Sequence, residues 1–290
     1  MSCVTTTSPK RWCTTRAMGN LRAVISASAI SLTAACDGGG SAKPDAPIIL
    51  LDAAVDAVPD APPLPDAPSY DFSCVGNSAP TTANAMITVT GSAQVFSGQS
   101  PTPADMVTVE ARAVSNDAVL ATAVPAPTTS AGTFTVGPLA SNNMPIDAYL
   151  RAQRAGSGGE RTTLVYPPSP LTENLMDAPV LMISDAQLNA LGMGFITQSP
   201  NKGFLAVFVV DCADTPVAGA TLSARIGAAD TGNAIDLGTF APQAAGTWFV
   251  FDADVGDVTV SATYGSHTFR AHVIKSAAQT TSTTIVRPGF

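Results

Sequence analysis

The sequence predicts an all-β protein: two tandem antiparallel β-sandwiches behind a disordered N-terminal tether. Three observations point there. From about residue 72 onward, short runs alternate apolar and polar residues between clusters of Gly, Pro, Asn and Ser, the pattern of half-buried strands joined by turns. Before them lies a stretch so rich in Pro, Ala and Asp that neither helix nor sheet can propagate. The strand-rich part also repeats itself, one half echoing the other in register. Composition agrees: of 290 residues, 46% are hydrophobic but only 12% charged and 6% aromatic, which argues against a coiled coil or long helical protein. A net charge of −8, with 14 Lys+Arg and no basic cluster, argues against nucleic acid as a partner. No stretch reaches the roughly 18 uninterrupted apolar residues that a membrane-spanning helix needs.

Residues 1–35 hold Lys10, Arg11, Arg16 and Arg22, no acidic residue, and end in the small apolar run AVISASAISLTAA. A basic start, an apolar stretch of about 13 residues and a small-residue end describe a secretory signal peptide. Met18 is an alternative start, since Met18–Ala35 alone makes a compact leader with Arg22 as its basic part. The string Leu32-Thr33-Ala34-Ala35-Cys36 resembles the lipobox of bacterial lipoproteins, in which the Cys is acylated and becomes the new N-terminus. It departs at Thr33, where the family has Leu; Leu32 stands one residue early. The resemblance implies a lipid anchor on Cys36, and hence membrane attachment without a spanning helix. It also implies the cell envelope as location, outer membrane or surface favoured. Asp37 resembles the inner-membrane retention signal of enteric bacteria, so the inner membrane stays open. Ordinary secretion after cleavage near Ala35 is the alternative. Without the leader the net charge becomes −12.

Residues 36–71 are the tether. PDAP occurs at Pro44–Pro47, Pro59–Pro62 and Pro65–Pro68, and seven prolines fall in this segment. Seven Asp against one Lys give −6, half the charge of the processed chain, and like charges extend a linker. Its span in a polyproline conformation is about 100 Å, at ~3.1 Å per residue. Ile48-Ile49-Leu50-Leu51 interrupts it with a short apolar patch.

Residues 72–183 form the first sandwich module, 184–200 a short helical connector and 201–290 the second module. In the connector, Ser184 to Gly192 has a capping start, Leu188 and Leu191 on one face and a terminal Gly, which predicts a helix of about two turns. In the second module, Gly203–Val210 is a continuous apolar strand, the mark of cover on both faces. Ala220, Leu222, Ala224 and Ile226 alternate with polar residues; Trp248–Phe251, the Val258–Tyr264 stretch, the Phe269–Val273 stretch and Thr283–Val286 complete the strands. The first module follows the same plan. VTVEARAV (Val107–Val114) parallels ATLSARIG (Ala220–Gly227), AGTFTV (Ala131–Val136) parallels AGTWFV (Ala245–Val250), and Ile146–Gly156 stands where Val258–Ser266 stands.

DCADTPVAGATLSARI (Asp211–Ile226), followed by Gly-Thr-Trp-Phe-Val and a Gly before VTVSAT, is similar to the carboxypeptidase-regulatory-like, transthyretin-like β-sandwich. Asp211, Pro216, Val217, Gly219 and Ala220 fit the family's turn-and-strand pattern; Leu222 replaces its final Val. The resemblance covers about residues 203–286 and extends only loosely to 87–150, because residues 101–105 lack the Pro-Val-x-Gly-Ala string. It implies an Ig/transthyretin-like fold and a non-catalytic accessory or structural role. Fold likeness alone names no ligand.

Few residues offer chemistry. Cys3 and Cys13 belong to the leader and Cys36 is the lipidation candidate, which leaves Cys74 and Cys212, one per module, as candidates for a disulfide in an export compartment; two unpaired thiols are the alternative. Only His267 and His272 exist. Alternation places His267 on the Phe269/Ala271 face and turns His272 outward, so they do not converge on a metal. Asp252, Asp254 and Asp257 are calcium candidates resembling half a calcium loop, but calcium wants six to eight oxygens and no downstream Glu supplies the rest. A polar turn is the plainer reading, and no metal or other cofactor is expected. There is no Gly-x-Ser-x-Gly elbow and no glycine-rich phosphate loop before a helix. Trp248, Tyr149 and Tyr264 are the aromatic candidates for a glycan platform, with strand packing as the plainer role.

These observations together describe a non-enzymatic, membrane-anchored envelope lipoprotein that binds or scaffolds an envelope protein or glycan. An accessory or catalytic subunit of glycan or peptide processing, and a calcium-dependent adhesion module, are the competing expectations.

Overall fold

The computed structural model of the chain describes residues 69–96, 98, 100–156, 159–192 and 196–290. The predicted leader, Cys36 and the tether up to Pro68 lie outside them. Residues Asp71–Phe290 belong to one unit, whose regular secondary structure is almost all strand.

The first half runs β1 (Met86–Phe96), β2 (Pro101–Pro103), β3 (Val107–Ala113), β4 (Val119–Thr122), β5 (Thr133–Ala140), β6 (Ala148–Arg154), β7 (Thr162–Tyr166) and β8 (Leu175–Met182). Helix α1 (Asp185–Leu191) follows, opened by a capping box in which Ser184 and Gln187 satisfy each other's backbone N–H groups. The second half contains β9 (Gly203–Val209), β10 (Thr221–Ile226), β11 (Ala229–Asp230), β12 (Asn233–Asp236), β13 (Thr247–Ala253), β14 (Gly256–Tyr264), β15 (His267–Thr268), β16 (His272–Ser276) and β17 (Thr280–Val286).

The repeat seen in the sequence is a repeat of pairing. Strand β1 lies between antiparallel β5 and parallel β8, as β9 lies between antiparallel β13 and parallel β17. Likewise β3 pairs with β4 and β6, and β10 with β11 and β14. The matched Ala-Gly-Thr strings begin β5 and β13 in the same way: Gly132 and Gly246 both adopt left-handed φ, 68° and 72°. Their carbonyls accept bonds of 2.7 Å from the N–H groups of Ala93 and Val209. A Cβ at either position would run into a facing carbonyl, that of Ala93 or Val209, so only Gly fits both demands.

One feature departs from the antiparallel plan. The last strand of each half returns parallel to the first, and β17 also pairs in parallel with β7 of the other half, Thr283 opposite Val165. The result is one eight-stranded sheet, β12-β13-β9-β17-β7-β6-β3-β4, that runs through both modules. A four-stranded sheet (β2, β1, β5, β8) and a five-stranded sheet (β10, β11, β14, β15, β16) accompany it.

Registers carried across the long sheet put Ala111, Leu150, Val165, Thr283, Ala206, Phe249 and Ile235 in one row on one face. On this face the first module's core packs Val109, Ala111, Leu150 and Ala152 against Ile87, Val89, Phe134 and Val180 of the four-stranded sheet. The next row holds Arg112, Tyr149, Tyr166, Thr284 and Val207 on the opposite face. There the second module's cover binds: the Ser282 hydroxyl donates to the Lys275 carbonyl and Thr284 pairs with His272 at 2.7 Å. The two covering sheets therefore occupy opposite faces of one continuous sheet, displaced from each other along it.

The connector is fastened by a residue the sequence did not single out. Arg161 at the entrance to β7 is fully buried and donates to the carbonyls of Lys202, Ser199 and Thr280, while its Nε pairs with Asp185 in the first turn of α1.

Candidate functional site

On the face shared with the first module's core, β9 and β13 present Phe204, Ala206, Phe208 and Phe249. Phe204 meets Phe249 and Phe251 edge-on at 5.2 and 5.0 Å, a preferred aromatic geometry that fixes the rings. Helix α1 brings Leu188 and Leu191 over this surface, helped by Ile183, Ile196 and Phe96. Among the described residues the cover is incomplete. A cavity of about 110 Å³ remains, lined by Phe96, Pro179, Leu181, Ile183, Leu191, Phe204, Ala206, Phe208, Leu237, Ala244, Thr247, Phe249, Thr281 and Thr283. Among the described residues, no charged side chain lines it. Thr281, from the row beside Phe204, is 4% exposed, and its hydroxyl is buried without a hydrogen-bond partner.

On the opposite face of the long sheet lies a buried polar cluster. Tyr149 and Tyr166 stack at 4.8 Å, and His272 meets Tyr166 edge-on at 6.1 Å. The Tyr149 hydroxyl donates to Asp117, which also faces Lys275 at 3.7 Å and Arg112 at 3.5 Å. Tyr149's hydrogen bond holds the Asp117 carboxyl below its usual range despite partial burial. Burial pushes Tyr166 up to about 12, and burial, then the charge on Arg270, brings His272 down to about 4. At neutral pH the tyrosines are protonated and the imidazole is neutral. These groups hold one another in place; they are not set to move a proton.

The structure joins Cys74 to Cys212 in a disulfide. Around it Asp211, 2% exposed, accepts from the backbone N–H groups of Asp71, Ala213 and Thr215, so the chain enters the folded part beside the end of β9.

Other expectations are redirected. His272 does not point outward: the strand breaks over Phe269–Ala271 and restarts at His272, which resets the alternation and turns the ring toward Tyr166 and Thr284. His267 stacks on Phe72 at 4.0 Å. The calcium candidates do not converge. Asp252 accepts from Gln198 and Ser199, Asp254 pairs with Lys202 and Thr231, and Asp257 lies opposite Lys275 in the β14–β16 ladder. Among the described residues no cluster of His, Cys, Asp and Glu could hold a metal. Trp248 is half-buried, and Tyr149 is buried in its stack. Cys36 lies outside the described residues. Among these, no helix is long and apolar enough to cross a membrane. Sequence reasoning missed the cavity and Arg161; the Phe-x-Ala-x-Phe spacing of Phe204–Phe208 was the available signal for the cavity.

No protein-family model and no curated protein matches the chain. Among solved structures it is similar to the shaft pilin SpaA of Lactobacillus rhamnosus GG, at 13% identity over 71% of this chain and 98% of that one, with a TM-score of 0.23. The minor pilin GBS52 of Streptococcus agalactiae matches at 14% identity over 69% of this chain and 94% of that one, TM-score 0.21. The Bacillus anthracis TIE protein matches at 11% identity over 70% of this chain and 34% of its own, TM-score 0.22. With scores this low, the architecture stands on the strand registers.

Proposed function

We propose that the chain is an exported, lipid-anchored binding module of the bacterial cell envelope without catalytic activity, its second half a carboxypeptidase-regulatory-like sandwich. The observation that carries the binding role is the apolar cavity on the long sheet: it has Phe, Leu and Ile walls and, among the described residues, no titratable group in its lining, the composition of a recognition surface and not of a reaction centre. Export is supported by the leader pattern ahead of Cys36 and by the Cys74–Cys212 disulfide, a bond that persists in oxidising compartments. Anchoring is assigned to Cys36, with the acidic tether as spacer. Metabolic labelling with a tagged fatty acid tests this: the wild-type chain takes up label and sediments with membranes, and Cys36→Ser does neither. Unchanged labelling of Cys36→Ser would overturn the anchor.

A further inference from the structure

We propose that residues 71–77 are a strap that reduction of the Cys74–Cys212 disulfide releases while both modules stay folded. The inference depends neither on what the cavity binds nor on the anchor at Cys36. The strap lies against the second module. The Asp71 carbonyl accepts from the Cys212 N–H at 2.9 Å, and the Asp71 N–H donates to the Asp211 carboxylate at 2.8 Å. Phe72 stacks on His267 at 4.0 Å and meets Phe269 edge-on at 6.0 Å. The Cys74 carbonyl packs so closely on Gly289, just past β17, that a Cβ there would lie 1.9 Å from its oxygen. The Asn77 side chain then reaches the Phe290 carbonyl at 3.5 Å.

These contacts are few for the length of chain they order. Five of the seven residues, Asp71, Ser73, Val75, Gly76 and Asn77, are exposed, and Phe72 and Cys74 are only half-buried. Ordering the strap costs backbone entropy at every residue, and one ring and a handful of hydrogen bonds oppose that cost. The sulfur link decides the balance, because it keeps the strap beside its partners at high effective concentration. The link is also open to attack. Both cysteines are half-buried, with exposed Ser73, Val75 and Ala213 next to them, the setting of an addressable bond and not of a core one.

The step needs a dithiol as reductant. Its thiolate attacks one sulfur to form a mixed disulfide, and its second thiol then closes the reductant's own disulfide. Two electrons and two protons pass to Cys74 and Cys212, which leave as thiols. After Asn77 the next backbone bonds to the folded part run from the Ala83 N–H to the Asn143 carbonyl, 3.0 Å, and from Asn84 to Thr172, 2.8 Å. Both lie in the first module. Release therefore moves the entry point of the chain from the second module to the first. It adds residues 71–82 to the segment ahead, about 35 Å of extended chain. It also uncovers Phe269, which is 2% exposed and packs against Phe72.

The test follows hydrogen exchange by mass spectrometry in the purified full chain, either oxidised or reduced with dithiothreitol and alkylated, without denaturant. Reduction is expected to speed exchange in peptides covering residues 71–77 by about tenfold or more, with peptides of β9 and β17 unchanged. Cys74→Ser/Cys212→Ser should match the reduced chain. Phe72→Ala with the bond intact should change strap exchange by less than about threefold, because the sulfur link and not the ring decides its position. Equal strap protection in the oxidised and reduced chains overturns the proposal, as does release of the strap in oxidised Phe72→Ala. Loss of protection in β9 and β17 together with the strap also overturns it, since the bond then supports the whole fold. So does a bond that dithiothreitol opens only in urea.

Discussion

His272 shows how a residue with an ordinary local sequence acquires an unusual setting. Its neighbours in the chain suggest a surface strand, yet the ring lies against Tyr166 and pairs with Thr284. With a native value of about 4 against an ordinary 6.5, the folded chain binds the proton less readily than the unfolded one. The stabilisation is therefore complete above pH 6.5 and is lost as pH falls from there toward 4, by at most roughly 3 kcal/mol. Urea unfolding across this range should show a steeper acid loss for wild type than for His272→Gln, and equal slopes would remove His272 as the cause. Arg161 makes the complementary point. A lone Arg before a Thr-rich strand reads as surface, but it is fully buried because three backbone carbonyls and Asp185 converge on it from segments up to 119 residues away. Such convergence depends on tertiary arrangement and leaves no local pattern to read.

At the scale of elements, the matched strings Ala131–Val136 and Ala245–Val250 were legible because the same turn chemistry recurs at both. Gly246 has φ of 72°, and an added Cβ would lie 2.6 Å from the Val209 carbonyl oxygen and 2.9 Å from the Val217 nitrogen. Gly246→Ala should cost about 2 kcal/mol or more, since left-handed strain and a backbone clash add. Gly227, with φ of 62° but open space around it, should cost only about 1 kcal/mol on the same change. Equal shifts in the urea midpoint would refute the clash. The closing strands were less legible. Thr280–Val286 is mostly Thr and Ser, yet five of its seven residues are buried, because β9 and β7 flank it on both edges and the second module covers one face. Its pairing with β7 joins residues 118 apart, such as Thr163 with Thr281, and no alternation within either strand encodes that choice. The apolar run Gly203–Val209 did announce cover on both faces, and every one of its residues is buried. Incomplete cover over Ala206 depends on where α1 and β8 end, which the run itself does not specify.

For the whole molecule, the sequence expresses the duplication while the structure adds the fusion: one sheet shared by two modules, with a cover on each face. A molecule built this way should lose stability as one body when its covalent clasp is removed. The Cys74–Cys212 bond closes a loop with a sequence separation of 138, and chain-entropy reasoning gives a contribution of about 2–5 kcal/mol. Cys74→Ser/Cys212→Ser should unfold at lower urea in a single transition, with circular dichroism and Trp248 fluorescence coinciding. Two separated transitions would mean that the modules melt independently.

The same bond also sets a route for mechanical force. A pull arriving from the N-terminal side reaches Cys74 within a few residues of Asp71 and passes through sulfur to Cys212, three residues beyond the end of β9. The strands between Cys74 and Cys212 lie inside the covalent loop and are spared extension. Tension is delivered to the central strand that floors the cavity. A chain pulled between its N-terminal side and an occupant of that cavity would act as a short, stiff link of a few residues, and reduction of one bond would turn it into a long, extensible one.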